Sequence, residues 1–338
     1  MFGRHHAVLA ALLAIQLLAL AAIRSPVTTG PSRPRPLLPE LASMTPSRIE
    51  LEGQGGARLT LERKDDRWTL PDAGGYPASE EKVDKLLDDL KGLKVRRPVV
   101  TSARHHAALE VAEDKHARRV RIFADADEDP EIDLLVGSSP KYRFVHVRRA
   151  GEDPVYEVMG LSPYDIRAEK TSWIERKLVD VPFDEVRRVE VENASGRFVL
   201  ERDEGSWRLA EPSRRSGQKL DSGKVDAFVR SLVSLWIAEP VGPADDKAHG
   251  FDAPAARYTI AYAQGGGSAG EDGGEEDGTE EPEKDREPPL STVTVIVGRK
   301  ADGQSARRYA TREGFGFTVE VSETSVKKAL EQKAADLR

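Results

Sequence analysis

One apolar ladder occurs twice in this chain. Val83, Leu86, Leu87, Leu90 and Leu93 stand at i, i+3, i+4, i+7 and i+10, and Val225, Phe228, Val229, Leu232 and Leu235 repeat that spacing without change. Such spacing lines one face of a helix. The same features precede each ladder: Leu59-Thr60-Leu61-Glu62-Arg63 then Trp68-Thr69-Leu70-Pro71 in the first, Phe198-Val199-Leu200-Glu201-Arg202 then Trp207-Arg208-Leu209 in the second. Duplication at this scale predicts an α+β protein of two tandem repeats, each a mostly antiparallel sheet with a docked amphipathic helix. Burying the apolar face is worth roughly 1.5 to 3 kcal/mol per side chain before entropy is subtracted, enough to hold each helix on its sheet.

Two features lie ahead of the first repeat. Ala7 to Ile23 has Gln16 as its one polar member and follows a short start containing Arg4. At about 1.5 Å per residue it falls just short of a hydrocarbon core of about 30 Å. It reads as a membrane anchor or, because Ala19-Leu20-Ala21 offers a small-x-small site, as a cleaved signal segment. Arg24, Arg33 and Arg35 follow it, so charge alone does not set its orientation. The expected topology places the body outside the cytoplasm, on the periplasmic side, and secreted if the segment is cleaved. Pro26, Pro31, Pro34, Pro36, Pro39 and Pro46 then predict an extended spacer. The expected division is an anchor or signal over 1–24, a Pro-rich linker over 25–46, repeat 1 over 47–182 and repeat 2 over 183–338.

In repeat 1, alternating runs at 48–52 and 58–63 around a Gly-rich break predict a hairpin, with a third strand at Trp68 and Leu70. Ser79 is the expected N-cap of the ladder helix, with Glu80 and Glu81 in its first turn. Strands are expected at 120–123, 132–136, 144–147 and 155–158, and a short helix over Ser172 to Leu178. Repeat 2 repeats the order, with Asp221 as cap, strands at 258–262, 292–297, 308–312 and 318–321, and a closing helix from Ser322 to Leu337. Its main departure is an acidic Gly-rich loop, 263–289, expected to be disordered.

That loop decides what the net charge of -7 means. Glu271 to Glu287 holds ten acidic residues against Lys284 and Arg286, which leaves the rest of the chain close to neutral. A basic face of the kind that neutralises phosphates along nucleic acid is therefore not expected. The chain has no cysteine, which excludes disulfides, thiolate metal sites and cysteine nucleophiles.

Gly265-Gly266-Gly267-Ser268-Ala269-Gly270 formally satisfies the dinucleotide fingerprint and the Gly-x-Ser-x-Gly elbow, yet no helical pattern follows it. Asp125, Asp127 and Asp129 open like a calcium loop, but Pro130 and Val136 stand where Gly and the bidentate Glu belong. The histidines, His5, His6, His105, His106, His116, His146 and His249, show no metalloprotease spacing and read as surface or loop residues. Trp68 and Trp207 occupy matched positions ahead of a docked helix, which predicts packing in preference to a sugar platform. No catalytic, cofactor-binding or metal-ligating residue is assigned, and no cofactor is expected.

The whole pattern resembles a bacterial envelope family known as domain of unknown function 4340. The residues that carry it are Trp68 and Leu70 with Trp207 and Leu209, the Leu-x-x-Leu steps Leu90/Leu93 and Leu232/Leu235, and Gly250-Phe251-Asp252-Ala253-Pro254. Gly137 and Gly298, Val155-Tyr156-Glu157-Val158 and Glu175-Arg176-Lys177-Leu178 complete it. Repeat 1 has only Leu109-Glu110 where repeat 2 has the Gly-Phe-Asp-Ala-Pro turn. The resemblance implies an N-terminally anchored envelope component, often encoded beside gliding-type ABC transporter parts, and carries no catalytic residues. The function expected is that of a non-enzymatic accessory or scaffold subunit of an ABC-type transport system, its partners the membrane and a permease or ATPase, with neither nucleic acid nor a small-molecule substrate. The alternatives are a cell-wall or carbohydrate-binding module and a hydrolase whose site spacing does not reveal.

Overall fold

A computed structural model describes residue 16 and residues 33–124, 129–203, 205–211, 220–263, 290–303 and 306–338. The apolar segment 7–23 therefore lies, Gln16 apart, outside the described residues, as do 264–289. Among the described residues no helix is long and apolar enough to cross a membrane.

The first half runs β1 (Arg35–Pro36), a 3-10 turn (Pro39–Ala42), β2 (Arg48–Glu52), β3 (Arg58–Lys64), β4 (Arg67–Leu70), β5 (Tyr76–Pro77), α1 (Glu80–Lys91), β6 (Lys94–Val95), β7 (Arg118–Phe123), β8 (Ile132–Val136), β9 (Phe144–Arg149) and β10 (Tyr156–Met159). The second runs β11 (Lys177–Asp180), a 3-10 turn (Phe183–Glu185), β12 (Val186–Asn193), β13 (Gly196–Asp203), β14 (Ser206–Glu211), α2 (Ser222–Leu232), β15 (Ser234–Trp236), β16 (Glu239–Pro243), α3 (Asp246–His249), β17 (Ala256–Ala263), β18 (Leu290–Lys300), β19 (Arg307–Arg312), β20 (Phe317–Ser322) and α4 (Glu323–Glu331).

The described strands form two sheets of eight, ordered β10-β9-β8-β7-β2-β3-β4-β5 and β16-β20-β19-β18-β17-β12-β13-β14, and two small sheets, β1-β6 and β11-β15. Both large sheets are antiparallel throughout. The protein is thus mixed α+β, mostly antiparallel with few helices, and its two eight-stranded sheets fit two repeats. Registers agree as well: Ile49 lies between Leu61 and Ile122, and Val189 between Leu200 and Ile260. All six are buried. Alternation then sends Arg48, Glu50, Arg188 and Glu190 to the other face, where Arg121 meets Glu50 at 3.2 Å and Arg119 grips Asp133 at 2.7 and 2.5 Å.

Helix α1 buries Val83, Leu86 and Leu90, and α2 buries Val225, Phe228, Val229 and Leu232. The fifth rung of each ladder corrects the expectation of a single helical face: Leu93 lies beyond the Gly92 C-cap and Leu235 lies on β15, and both are buried there. Asp221 caps α2 by accepting from the Lys224 amide at 3.1 Å. Ser79 holds the N-cap position of α1 without a capping bond from its side chain, and Glu80 turns instead to accept from the Trp68 amide at 2.7 Å. One hydrophobic cluster runs through both halves, from Leu37 to Leu337. The edge of Tyr76 meets Phe315 and Phe317 at centroid distances of 5.8 and 5.2 Å, so the halves share a core at their junction.

Three expectations need correction. The Pro-rich spacer ends earlier than its composition implied. Arg35–Pro36 pairs with Lys94–Val95, and Leu37, Leu38 and Leu41 enter the core. The short helix expected over Ser172 to Leu178 is a 3-10 turn (Lys170–Ser172) followed by β11, because Leu178 and Val179 are drawn to the β15 ladder. The closing helix stops at Glu331, where Gln332 turns extended, and a 3-10 turn (Ala334–Leu337) finishes the chain.

The turn that distinguished repeat 2 has a counterpart in repeat 1. A Cβ on Gly298 would stand 2.1 Å from the His249 carbonyl oxygen, and one on Gly137 would stand 2.1 Å from that of Leu109. Each strand end thus lies directly under a turn, and only glycine leaves room. Where Gly250 adopts φ 76°, Glu110 adopts φ 57°, a left-handed backbone held by a residue that carries a side chain. Buried Arg148 secures the turn of repeat 1, donating to the Val111 carbonyl at 2.6 Å and to Glu113 at 2.9 Å.

Candidate functional site

A cleft of about 550 Å³ opens between α1 and the segment 161–176 that joins β10 to β11. Its size lies within the range of small-molecule sites. One wall is a stripe of α1, Lys82, Lys85, Leu86 and Asp89, four residues that helical spacing places along one side. The other wall includes Tyr164, Asp165, Arg167, Glu169, Trp173 and Arg176.

The joining segment keeps its shape through local bonds. Ser162 donates its amide to Asp165 at 2.8 Å, the Arg167 Nε donates to the Tyr164 carbonyl at 3.0 Å, and the Trp173 indole N–H donates to the Arg167 carbonyl at 2.7 Å. Ile166, Trp173 and Ile174 anchor it in the core. Two bonds then fasten it to the start of α1: the Ser79 amide donates to the Trp173 carbonyl at 2.7 Å, and Lys82 Nζ donates to the Ile174 carbonyl at 2.5 Å. Tyr164 is left at the rim, 73% exposed.

The charges in the cleft are unequally satisfied. Lys85 and Asp89 pair at 2.5 Å, and that hydrogen bond holds the lysine above its ordinary pKa. Among the described residues no carboxylate pairs with Lys82, Arg167 or Arg176; Lys82 bonds a carbonyl, and Arg176 stacks 5.7 Å from the ring of Trp236. Another cavity, about 310 Å³ and lined by Tyr76, Leu178, Ile237, Arg312 and Phe315 among others, sits at the junction of the halves. Burial there pushes the Tyr76 hydroxyl pKa upward.

The residues weighed from sequence fall elsewhere. Gly265 to Gly270, Asp125, Asp127, His5 and His6 lie outside the described residues. Among the described residues no cluster of three His, Asp or Glu could hold a metal ion. His105 is exposed, as expected of a loop histidine. His106 is a loop residue, though a buried one, and its Nε2 lies 2.8 Å from the Asp153 carbonyl. His146 is buried on β9, which corrects its reading as a surface or loop residue, and its Nδ1 lies 3.3 Å from Ser138 Oγ. His249 rests on Tyr309 at 4.7 Å and bonds Thr318 at 2.9 Å, and burial lowers its pKa. Trp68 is buried at 2%, whereas Trp207 is only half-buried and donates its indole N–H to Asp226 at 3.0 Å. Reasoning from sequence did not find the cleft. Its residues are spread from 82 to 176 and share no motif.

Residues 68–254, more than half of the chain, match the family described as Domain of unknown function (DUF4340). The chain belongs to this family. No curated protein and no solved structure matches it. The family match begins at Trp68 on β4 and ends at Pro254, just before β17, so every residue lining the 550 Å³ cleft lies inside the family segment.

Proposed function

We propose that this protein is a non-enzymatic, membrane-anchored accessory or scaffold subunit of an ABC-type transport system, built from two copies of the family domain and held outside the cytoplasm. The observation that carries the reading is where the chain enters the fold. Only residues 24–34 separate the apolar segment from β1, and even fully extended they reach at most about 40 Å. Leu37, Leu38 and Leu41 then lock the entry into the shared core. A body tethered so closely and so firmly is suited to meeting another component of the same membrane. The continuous core supports this, because it lets two sheets act as one rigid platform with ion-paired outer faces.

The test is a mild-detergent pull-down of the full-length protein from native membranes, with partners identified by mass spectrometry. Recovery of an ABC ATPase and permease is the expected result. Recovery of the protein alone, from a preparation where other membrane complexes stay intact, would overturn the reading. A second reading, a cell-wall or carbohydrate-binding module, is favoured by the exposed ring of Tyr164 at the cleft and by Trp236, 51% exposed on β15. Against it, Trp68 and Trp173 are core residues. Retention on isolated cell wall that is lost in Tyr164→Ala would favour this second reading.

A further inference from the structure

We propose that the cleft between α1 and segment 161–176 binds a phosphate-bearing ligand through Lys82, Arg167 and Arg176. This inference stands apart from the transport reading and needs only the geometry of the cleft. Three basic side chains line one space without a carboxylate partner among the described residues. Two acids, Asp165 and Glu169, share the lining and offset part of this charge, although Asp165 is turned to accept from the Ser162 amide. Lys85 and Asp89 neutralise each other. The balance of unpaired charge in the cleft is therefore positive.

The type of anion follows from the donors. Arg167 spends its Nε on the Tyr164 carbonyl, which leaves the two terminal nitrogens of its guanidinium to a ligand. Among the described residues no hydrogen bond or ion pair ties the Arg176 side chain, which lies 5.7 Å from the Trp236 ring. Planar guanidinium groups bind phosphate oxygens in pairs, and a dianion meets three cations better than a single carboxylate does. Thr171 and Ser172 add hydroxyl groups to the same wall, and the exposed Tyr164 ring is placed to cover whatever the phosphate carries. The phosphate could be free in solution or the headgroup of a lipid, and the chemistry of the cleft is common to both.

The test titrates the full chain, in a non-ionic detergent, with inorganic phosphate and with dihexanoyl phosphatidylglycerol, using dihexanoyl phosphatidylcholine as the zwitterionic control. Binding is read by calorimetry and by the emission of Trp173 in the cleft wall. Saturable binding of an anionic probe, weakened at least tenfold in R167Q/R176Q with the melting temperature unchanged, is the expected result. Saturation by inorganic phosphate assigns a free anion, and saturation by the glycerol lipid alone assigns a headgroup. Absence of saturable binding for both anionic probes, equal binding of the choline lipid, or unchanged affinity in the variant would overturn the proposal. If the double variant does not fold, Arg176→Gln alone decides between the same outcomes, since among the described residues its side chain makes no hydrogen bond or ion pair that the fold would lose.

Discussion

The amide of Ser79 donates to the carbonyl of Trp173 at 2.7 Å. The residue that opens the ladder helix is thereby bonded to a segment more than ninety positions along the chain, and the cleft exists because these two meet. Ser79 is itself buried, and its hydroxyl makes no capping bond to the helix it opens.

The two glycines beneath the turns are the positions most sensitive to a single carbon. Gly137→Ala and Gly298→Ala each place a methyl 2.1 Å from a backbone oxygen that cannot swing aside as a side chain would. We expect each to cost about 3 kcal/mol, at the upper end of overpacking. Urea denaturation of the single variants checks this, and a change below about 0.5 kcal/mol would mean that the turns slide freely over the strands.

Matched tryptophans need not contribute equally. Trp68→Ala empties a fully enclosed site and should cost about 3 to 5 kcal/mol, whereas Trp207→Ala removes a half-buried ring and one bond to Asp226 and should cost distinctly less. Thermal melts of the two variants, run side by side, should rank them in that order.

The end of the proline-rich stretch, from Arg35 onward, is part of the body. Leu38→Ala should cost about 2 to 5 kcal/mol, as an enclosed leucine does, although it stands in a proline-rich stretch. A melting temperature unchanged from the native protein would show that residues 35–46 hang free.

His249 gives the fold a dependence on pH. Its Nδ1 receives the Asp245 amide at 3.3 Å and faces the Thr318 hydroxyl at 2.9 Å, both satisfied by the neutral ring. Asp245 on the preceding turn and Asp302 favour the charged ring, and Arg299 on β18 opposes it. Burial outweighs them, so the folded pKa lies below the ordinary 6.5. The unfolded chain therefore takes up its proton first as acid is added. The stabilisation is complete above pH 6.5 and is lost as pH falls from there through the lower folded value. H249Q should flatten the slope of stability against pH in that interval, as measured by urea midpoints at several pH values.

How much of this was legible depended on distance along the chain. The first four rungs of each ladder, the hairpins beside them and the cap at Asp221 are local patterns, and periodicity finds local patterns; the fifth rungs, Leu93 and Leu235, kept the spacing but lie past the helix ends. The pairing of Arg35–Pro36 with Lys94–Val95 was hidden, because a two-residue strand containing proline has no alternation to read and exists only once the helix between has docked. Glu110 was hidden for another reason. Gly250 announces a left-handed turn, while a glutamate in the same conformation gives no compositional sign and is held there by its surroundings, Arg148 among them. The cleft was the least legible feature, since Lys82 and Arg176 carry no meaning until Ser79 and Trp173 bring their segments together.

Ala263 and Leu290 stand opposite each other in the β17–β18 ladder, its outermost pair among the described residues. The described registers of β17 and β18 run from Ala263 and Leu290 inward, and none of them depends on how many residues the chain counts between those two. An epitope or a fluorophore-bearing peptide spliced there would ride on the protein as a passenger, giving the body a visible marker at one known corner while the rest of the molecule goes on folding as before.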